Sequence, residues 1–265
     1  MIVGTKHTDV IDGYGGNDAL IGGGGKDFIC GGPGSDTIIG DHRSMRGYAS
    51  GGGNDTIQAG SGDDLLVGDA YALRRNASGR GHDRLDGGPG NDVEVGDAYG
   101  KGHSAGHASD NIEGEAGKDL LVGDAYVIGS GKAVGGGPDH FFGDRGNDVL
   151  VGDAYAPHGT ALGSGKDAGT GGKGNDRIIG DDYARVLASG SGNDNFIGNR
   201  GNDLLIGDNR ALGHGKTHGG GNDHLRGGKD NDRFIAGPGN DYCGGNSGHD
   251  RDLSHPRCER TTNIP

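Results

Sequence analysis

Gly87-Gly88-Pro89-Gly90-Asn91-Asp92-Val93-Glu94-Val95, followed by Gly96-Asp97-Ala98-Tyr99, reads as one nine-residue unit: a glycine-rich loop ending in Asp, then a short β-type run. Near copies stand at Gly31-Gly32-Pro33-Gly34-Ser35-Asp36-Thr37-Ile38-Ile39 and at Gly227-Gly228-Lys229-Asp230-Asn231-Asp232-Arg233-Phe234-Ile235. A fixed internal period is the signature of a stacked repeat architecture. Counted from Gly4, the chain divides into twenty consecutive units ending at Leu253. The segment 4–39 is plain nonapeptides. Over 40–235 the odd units swell to 18–20 residues while the even ones stay at nine, and two plain units fill 236–253. The tail 254–265 lies outside the period.

Composition alone suggests disorder. There are 64 glycines in 265 residues, 30% hydrophobic and 5% aromatic residues, and no Trp, which suits a chain unable to bury a core. The register overturns that reading. The sixth position of each nonapeptide, or the fourth from the end of an expanded unit, is Asp in all twenty. Even units give Asp18, Asp36, Asp64, Asp92, Asp119, Asp148, Asp176, Asp203, Asp232 and Asp250. Odd units give Asp9, Asp27, Asp55, Asp83, Asp110, Asp139, Asp167, Asp194, Asp223 and Asp241. Each expanded unit also opens with Gly-Asp, adding Asp41, Asp69, Asp97, Asp124, Asp153, Asp181 and Asp208.

Two residues after each Asp comes the side chain that a short strand points inward, such as Leu20, Leu66 and Leu150 on even units and Ile11, Leu85 and Phe141 on odd ones. Strand side chains alternate, so a coil of two units places one apolar ladder on each of two stacked sheets. Glu94, Gly169 and Asp252 interrupt the ladders. A lone buried carboxylate is costly, so Glu94 is expected to point outward with Val93 or Val95 turned in. The other faces differ. Odd strands carry residues such as Arg84, Asn111 and Arg226, whereas even strands carry Leu65, Val67, Val95, Val122 and Val151. The apolar outer face needs a cover. The expanded units bring Tyr71, Tyr99, Tyr126, Tyr155 and Tyr183, and are expected to fold over it with the tyrosines in a column. The alternative leaves part of that face open for a partner or a second copy.

The formal charge of −13 argues against nucleic-acid binding and suits a protein that takes up cations. No apolar run reaches the length of a membrane span. Met1 leads into repeat sequence without a basic and apolar leader, so the expected export route uses a trimmed or different signal. Calcium takes six to eight oxygen ligands from carboxylates and carbonyls. Glycines let the backbone curl its carbonyls around an ion, and loops stacked roughly 4.8 Å apart can share one. Magnesium fits less well, and no His or Cys recurs in register for zinc. The pairs His103 and His107, and His214 and His218, lie in glycine-rich loops without helical periodicity and are not expected to hold a metal. No Ser-His-Asp, HExxH or paired-Glu arrangement stands out.

The units from Gly4 to Leu253 resemble the glycine-rich nonapeptide of the repeats-in-toxin (RTX) calcium-binding family. The resemblance implies an all-β, right-handed parallel β-roll (β-solenoid) of about ten coils with long loops on one edge. It makes the twenty sixth-position Asp the Ca²⁺ ligands, in rows along both edges, with the opening Gly-Asp supplying extra carboxylates. It also implies an extracellular protein, exported unfolded, whose folding is driven by multiple Ca²⁺ ions. Cys243 and Cys258 flank the last unit and are expected to form a capping disulfide, while Cys30 reads as a small strand residue. The expected role is structural rather than enzymatic. Alternatives are a self-assembling filament or adhesin subunit, joined through the apolar face or the long loops, and a folding or secretion module detached from an effector domain. An ice-binding row is disfavoured by Pro33, Ser61, Pro89, Arg145, Lys173 and Arg200 at the third position.

Overall fold

The computed structural model describes residues 1–253 and 258–264. Every paired strand is parallel to its neighbours, and no helix occurs among the described residues. One turn shows the path. The chain runs Leu65–Val67, Ala70–Ala72, Ala77–Ser78 and Arg84–Asp86, then returns at Val93–Val95 one layer on. The stacked turns build an eleven-stranded and a thirteen-stranded sheet, together with two seven-stranded sheets made by the expanded units. Register is set by the repeat itself, for Leu85 pairs with Ile112 and Tyr71 with Tyr99. The fold is thus a β-solenoid. The expectation of about ten coils is corrected to about seven full four-sided turns, flanked by plain two-strand coils.

The two large sheets enclose the main core. Leu20, Ile38, Leu66, Leu121, Leu150, Ile178, Leu205 and Phe234 meet Ile11, Ile29, Ile57, Leu85, Ile112, Phe141, Phe196 and Leu225. Each fully buried side chain of this size contributes about 1.5–3 kcal/mol. Gly169 interrupts the ladder for a steric reason. It lies between Phe141 and Phe196, whose ring centres stand 6.4 Å apart, and a Cβ there would sit 2.8 Å from that of Phe141. Asp252 closes the series opposite Phe234, and one of its oxygens accepts the Cys258 amide at 3.0 Å. Cys243, last in the ladder, is joined to Cys258 by a disulfide with Cα atoms 6.0 Å apart. Cys30 is free and exposed.

The expanded units are ordered arms rather than loose loops. Their first strands lay tyrosines on the outer face of the eleven-stranded sheet, where Val95, Val122, Val151, Ile179 and Ile206 pack with Tyr99, Tyr126, Tyr155 and Tyr183. Ring centres in the column from Tyr71 to Tyr183 are 5.1, 4.8, 4.8 and 5.1 Å apart, the range in which aromatic pairs attract. The alanines on the opposite side of these strands bury against the second arm strands, as Ala70, Ala72 and Ala98 do against Ala49 and Ala77. Alternation therefore serves two cores: tyrosine toward the roll, alanine toward the other half of the arm. The apolar face is covered.

Glu94 corrects the expectation that it turns outward. It sits in register between Leu66 and Leu121, fully buried, with neither carboxyl oxygen hydrogen-bonded. Val95 is also buried, but in the second core; a strand covered on both faces offers Glu94 no wet side. Burial pushes its carboxyl well above the ordinary glutamate range. Glu94→Leu should stabilise the fold by roughly 1–3 kcal/mol, the usual cost of an unsatisfied buried polar group. Thermal unfolding checks this, and an unchanged or lower midpoint would show that the carboxyl is gainfully partnered.

Candidate metal centres

Each plain loop is a tight glycine-rich turn laid on the same turn of the next layer. The approach is close: a Cβ on Gly198 would fall 2.6 Å from the Gly227 carbonyl and 2.1 Å from Asp203 Oδ2. Glycine is required there by space, and the carbonyls and carboxylates share that space. The repeated geometry of the turn then aligns the aspartates in two columns. On one edge Asp64 donates its backbone N–H to Asp92 Oδ1 at 2.7 Å, and Asp92 to Asp119 Oδ1 at 2.9 Å. On the other, Asp55 donates to Asp83 Oδ1 and Asp83 to Asp110 Oδ1, both at 2.7 Å. Each loop Asp from Asp27 on thus braces the layer before it with one oxygen.

The second oxygen is left over. Oδ2 of Asp36, Asp64, Asp92, Asp119, Asp148, Asp176, Asp203, Asp232 and Asp250 is buried without a hydrogen-bond partner, as is Oδ2 of Asp27, Asp55, Asp83, Asp110, Asp139, Asp167, Asp194, Asp223 and Asp241. Asp9 and Asp18, at the first coil, are half-buried. Among the described residues no lysine or arginine forms an ion pair with these columns; the single salt bridge is Arg84–Glu113 at 3.4 Å. Orphaned buried carboxylate oxygens flanked by glycine carbonyls form an all-oxygen donor set, which fits calcium.

The opening aspartates form a third column beside the arm-edge one. Asp69 Oδ2 accepts the amides of Arg80 and Gly81 at 2.5 and 2.7 Å, and its Oδ1 is orphaned. One carboxyl oxygen from each of Asp69, Asp83 and Asp97 lies within 4.8 Å of the others. Asp41, Asp124, Asp153, Asp181 and Asp208 are likewise buried with one orphaned oxygen each, although among the described residues three carboxylates converge within 4.8 Å only at Asp69, Asp83 and Asp97.

Electrostatics follow from this crowding. On the plain edge, burial raises Asp92, Asp119 and Asp148 to about 7 against the pull of their amide hydrogen bonds, and stacked carboxylates add to the rise. On the arm edge the effect is larger: burial, then neighbouring aspartates, push Asp194 up to about 10 and Asp69 up to about 12.

Three acids escape the periodic reading. Glu259 continues the arm-edge column, accepting the Asp241 amide at 2.6 Å, and the strand Arg260–Thr262 that follows it pairs with Tyr242–Gly244. The signal was an acid followed by a three-residue β run, with Glu for Asp. Asp182 is buried and accepts the amides of Gly163 and Ser189; Glu94 is the third. His103 accepts the Lys132 amide on an exposed surface at 3.0 Å, and His214 and His218 are exposed.

Parallel coils whose loops align buried carboxylates define a cation-binding β-solenoid. The chain belongs to the RTX calcium-binding nonapeptide repeat family, whose model matches residues 3–38, 49–70, 78–96, 105–125, 134–154, 186–209 and 219–252, well over half of the sequence. No curated protein matches the chain.

With cations chelated, the raised carboxyls make protonation stabilising. Ordinary aspartate titrates near 3.9 and the plain-edge groups near 7, so this support is full below about pH 4 and is lost as pH rises through about 7. Chelated protein should keep more β-structure at pH 4 than at pH 8 by circular dichroism. Equal spectra at the two values would contradict the buried columns.

Proposed function

We propose that the protein is an extracellular calcium-binding β-roll with a structural role, folding as Ca²⁺ enters the loop columns. The observation that carries this reading is the column itself: buried carboxylates in register, each with one oxygen committed to the preceding layer and one left without a protein partner. When bound, calcium supplies the positive charge and the coordination those oxygens lack. Metal affinity is then folding energy, and a ligand of the native state alone stabilises it by mass action. Extracellular calcium modules are tuned to about 10⁻⁴–10⁻³ M, so the chain would stay open in a calcium-poor compartment and close outside it.

The sixth-position aspartates of both edges are the proposed ligands, with the glycine carbonyls of the stacked loops. The reading is non-catalytic, because the acids that could serve as acid–base pairs are committed to the columns. Cover of the apolar face by the tyrosine arms favours a self-contained rod over lateral assembly. The disulfide between Cys243 and Cys258 and the Glu259 continuation act together as a cap that keeps the last coil from fraying.

Asp148→Ala tests the assignment of single ligands. Counting bound calcium by elemental analysis on the desalted protein should show a loss of one or two ions, with the fold kept by the remaining layers. An unchanged count would remove the plain-edge column from the ligand set, and complete loss of structure would contradict near-independent stacked sites.

A further inference from the structure

The two edges of the roll are chemically unequal. Per layer, the plain edge offers one orphaned carboxylate oxygen. The arm edge offers two, one from the loop aspartate and one from the opening aspartate: Asp41 with Asp55, Asp69 with Asp83, Asp97 with Asp110, and so on for all seven full turns to Asp208 with Asp223. The opening aspartates have a second task. Their other oxygen ties the far root of the same arm, through the amides of Gly53 for Asp41, Gly81 for Asp69, Ala108 for Asp97, Gly137 for Asp124, Gly165 for Asp153, Gly192 for Asp181 and Gly221 for Asp208. Each arm therefore leaves and re-enters the roll across one carboxylate, whose free oxygen faces the loop column.

We propose that the arm edge is a second class of divalent-cation site, built from opening and loop aspartates together, which binds more tightly than the plain edge and locks the tyrosine arms onto the roll. The proposal rests on the calcium reading above. Doubling the carboxylate count raises the local charge, and ligand charge count is what tunes calcium affinity. It also raises the repulsion without a cation, since desolvated like charges a few ångströms apart interact strongly. Because the root carboxylate is shared by arm closure and cation binding, arm order follows occupancy of this site. The tyrosine column is the built-in reporter, as the rings from Tyr71 to Tyr183 stack only when the arms are down.

The test is a calcium titration of the chelated full-length protein, followed by calorimetry and by circular dichroism in the peptide and tyrosine regions. Wild type should bind in two phases, with the tyrosine signal completed in the tighter one. Asp97→Asn retains an oxygen for the Ala108 amide and removes one charge. It should weaken part of the tight phase by at least about tenfold, the low end of what disturbing a metal site costs, and the tyrosine signal should lag the peptide signal. Asp92→Asn, on the plain edge, should weaken the loose phase and leave the tyrosine signal in place. If Asp97→Asn fails to fold, Asp41→Asn at the first arm gives the same comparison with less structure at risk. A single class of sites in wild type, or identical effects of the two substitutions on both signals, would overturn the two-class proposal while leaving calcium binding intact. Absence of any calcium response would overturn both.

Discussion

The structure depends on one arrangement: aspartates stacked a strand spacing apart, buried, and short of positive charge. Burial alone would expel such groups, because an uncompensated interior charge is among the costliest features a fold can hold. Each loop Asp from Asp27 on is nonetheless held in place by the amide of the preceding layer, as Asp83 Oδ1 is by Asp55 N–H at 2.7 Å. The hydrogen bond fixes position and the orphaned oxygen creates demand. A hard cation would answer that demand in a way no described side chain does. The buried columns account for much of the acidic excess behind the −13 formal charge.

The arms show how a nonapeptide roll grows without losing its period. Inserting about ten residues between Gly-Asp and the loop that follows adds two strands per turn, and those strands bury the apolar outer face of one sheet. The tyrosine column and the alanine layer behind it are both local consequences of alternation on a three-residue strand, since Ala70, Tyr71 and Ala72 must point in turn to the second arm strand, to the roll and back. The protein acquires a second core without new long-range instructions, because the register of each arm is inherited from the roll beneath it.

Much of this was legible in the sequence. Period, the inward ladder and the twenty in-register aspartates all follow from spacing, the parallel strand direction came from the family resemblance, and Tyr71 to Tyr183 offered a cover for the apolar face. What was not legible turned on three-dimensional neighbours. Glu94 looked too polar for a core position, but its strand is covered on both faces, so register prevailed over polarity. Gly169 interrupts the ladder in sequence, and the reason lies in its stacked neighbours Phe141 and Phe196, which use its space. The paired orphaned oxygens of the arm edge depend on where Gly-Asp sits relative to the returning loop, which sequence distance hides: Asp69 and Gly81 are twelve residues apart and hydrogen-bonded at 2.7 Å. Glu259 stands outside the period, in a tail whose single strand completes the stack.

The most direct measurement is the far-ultraviolet circular dichroism of chelated protein as calcium is added at pH 7.5, with light scattering on the same sample. The account predicts a cooperative change from coil to β-structure at constant monomer mass. Full β-structure already present in chelator would contradict it, for the carboxylate columns would then be held by something other than a metal ion.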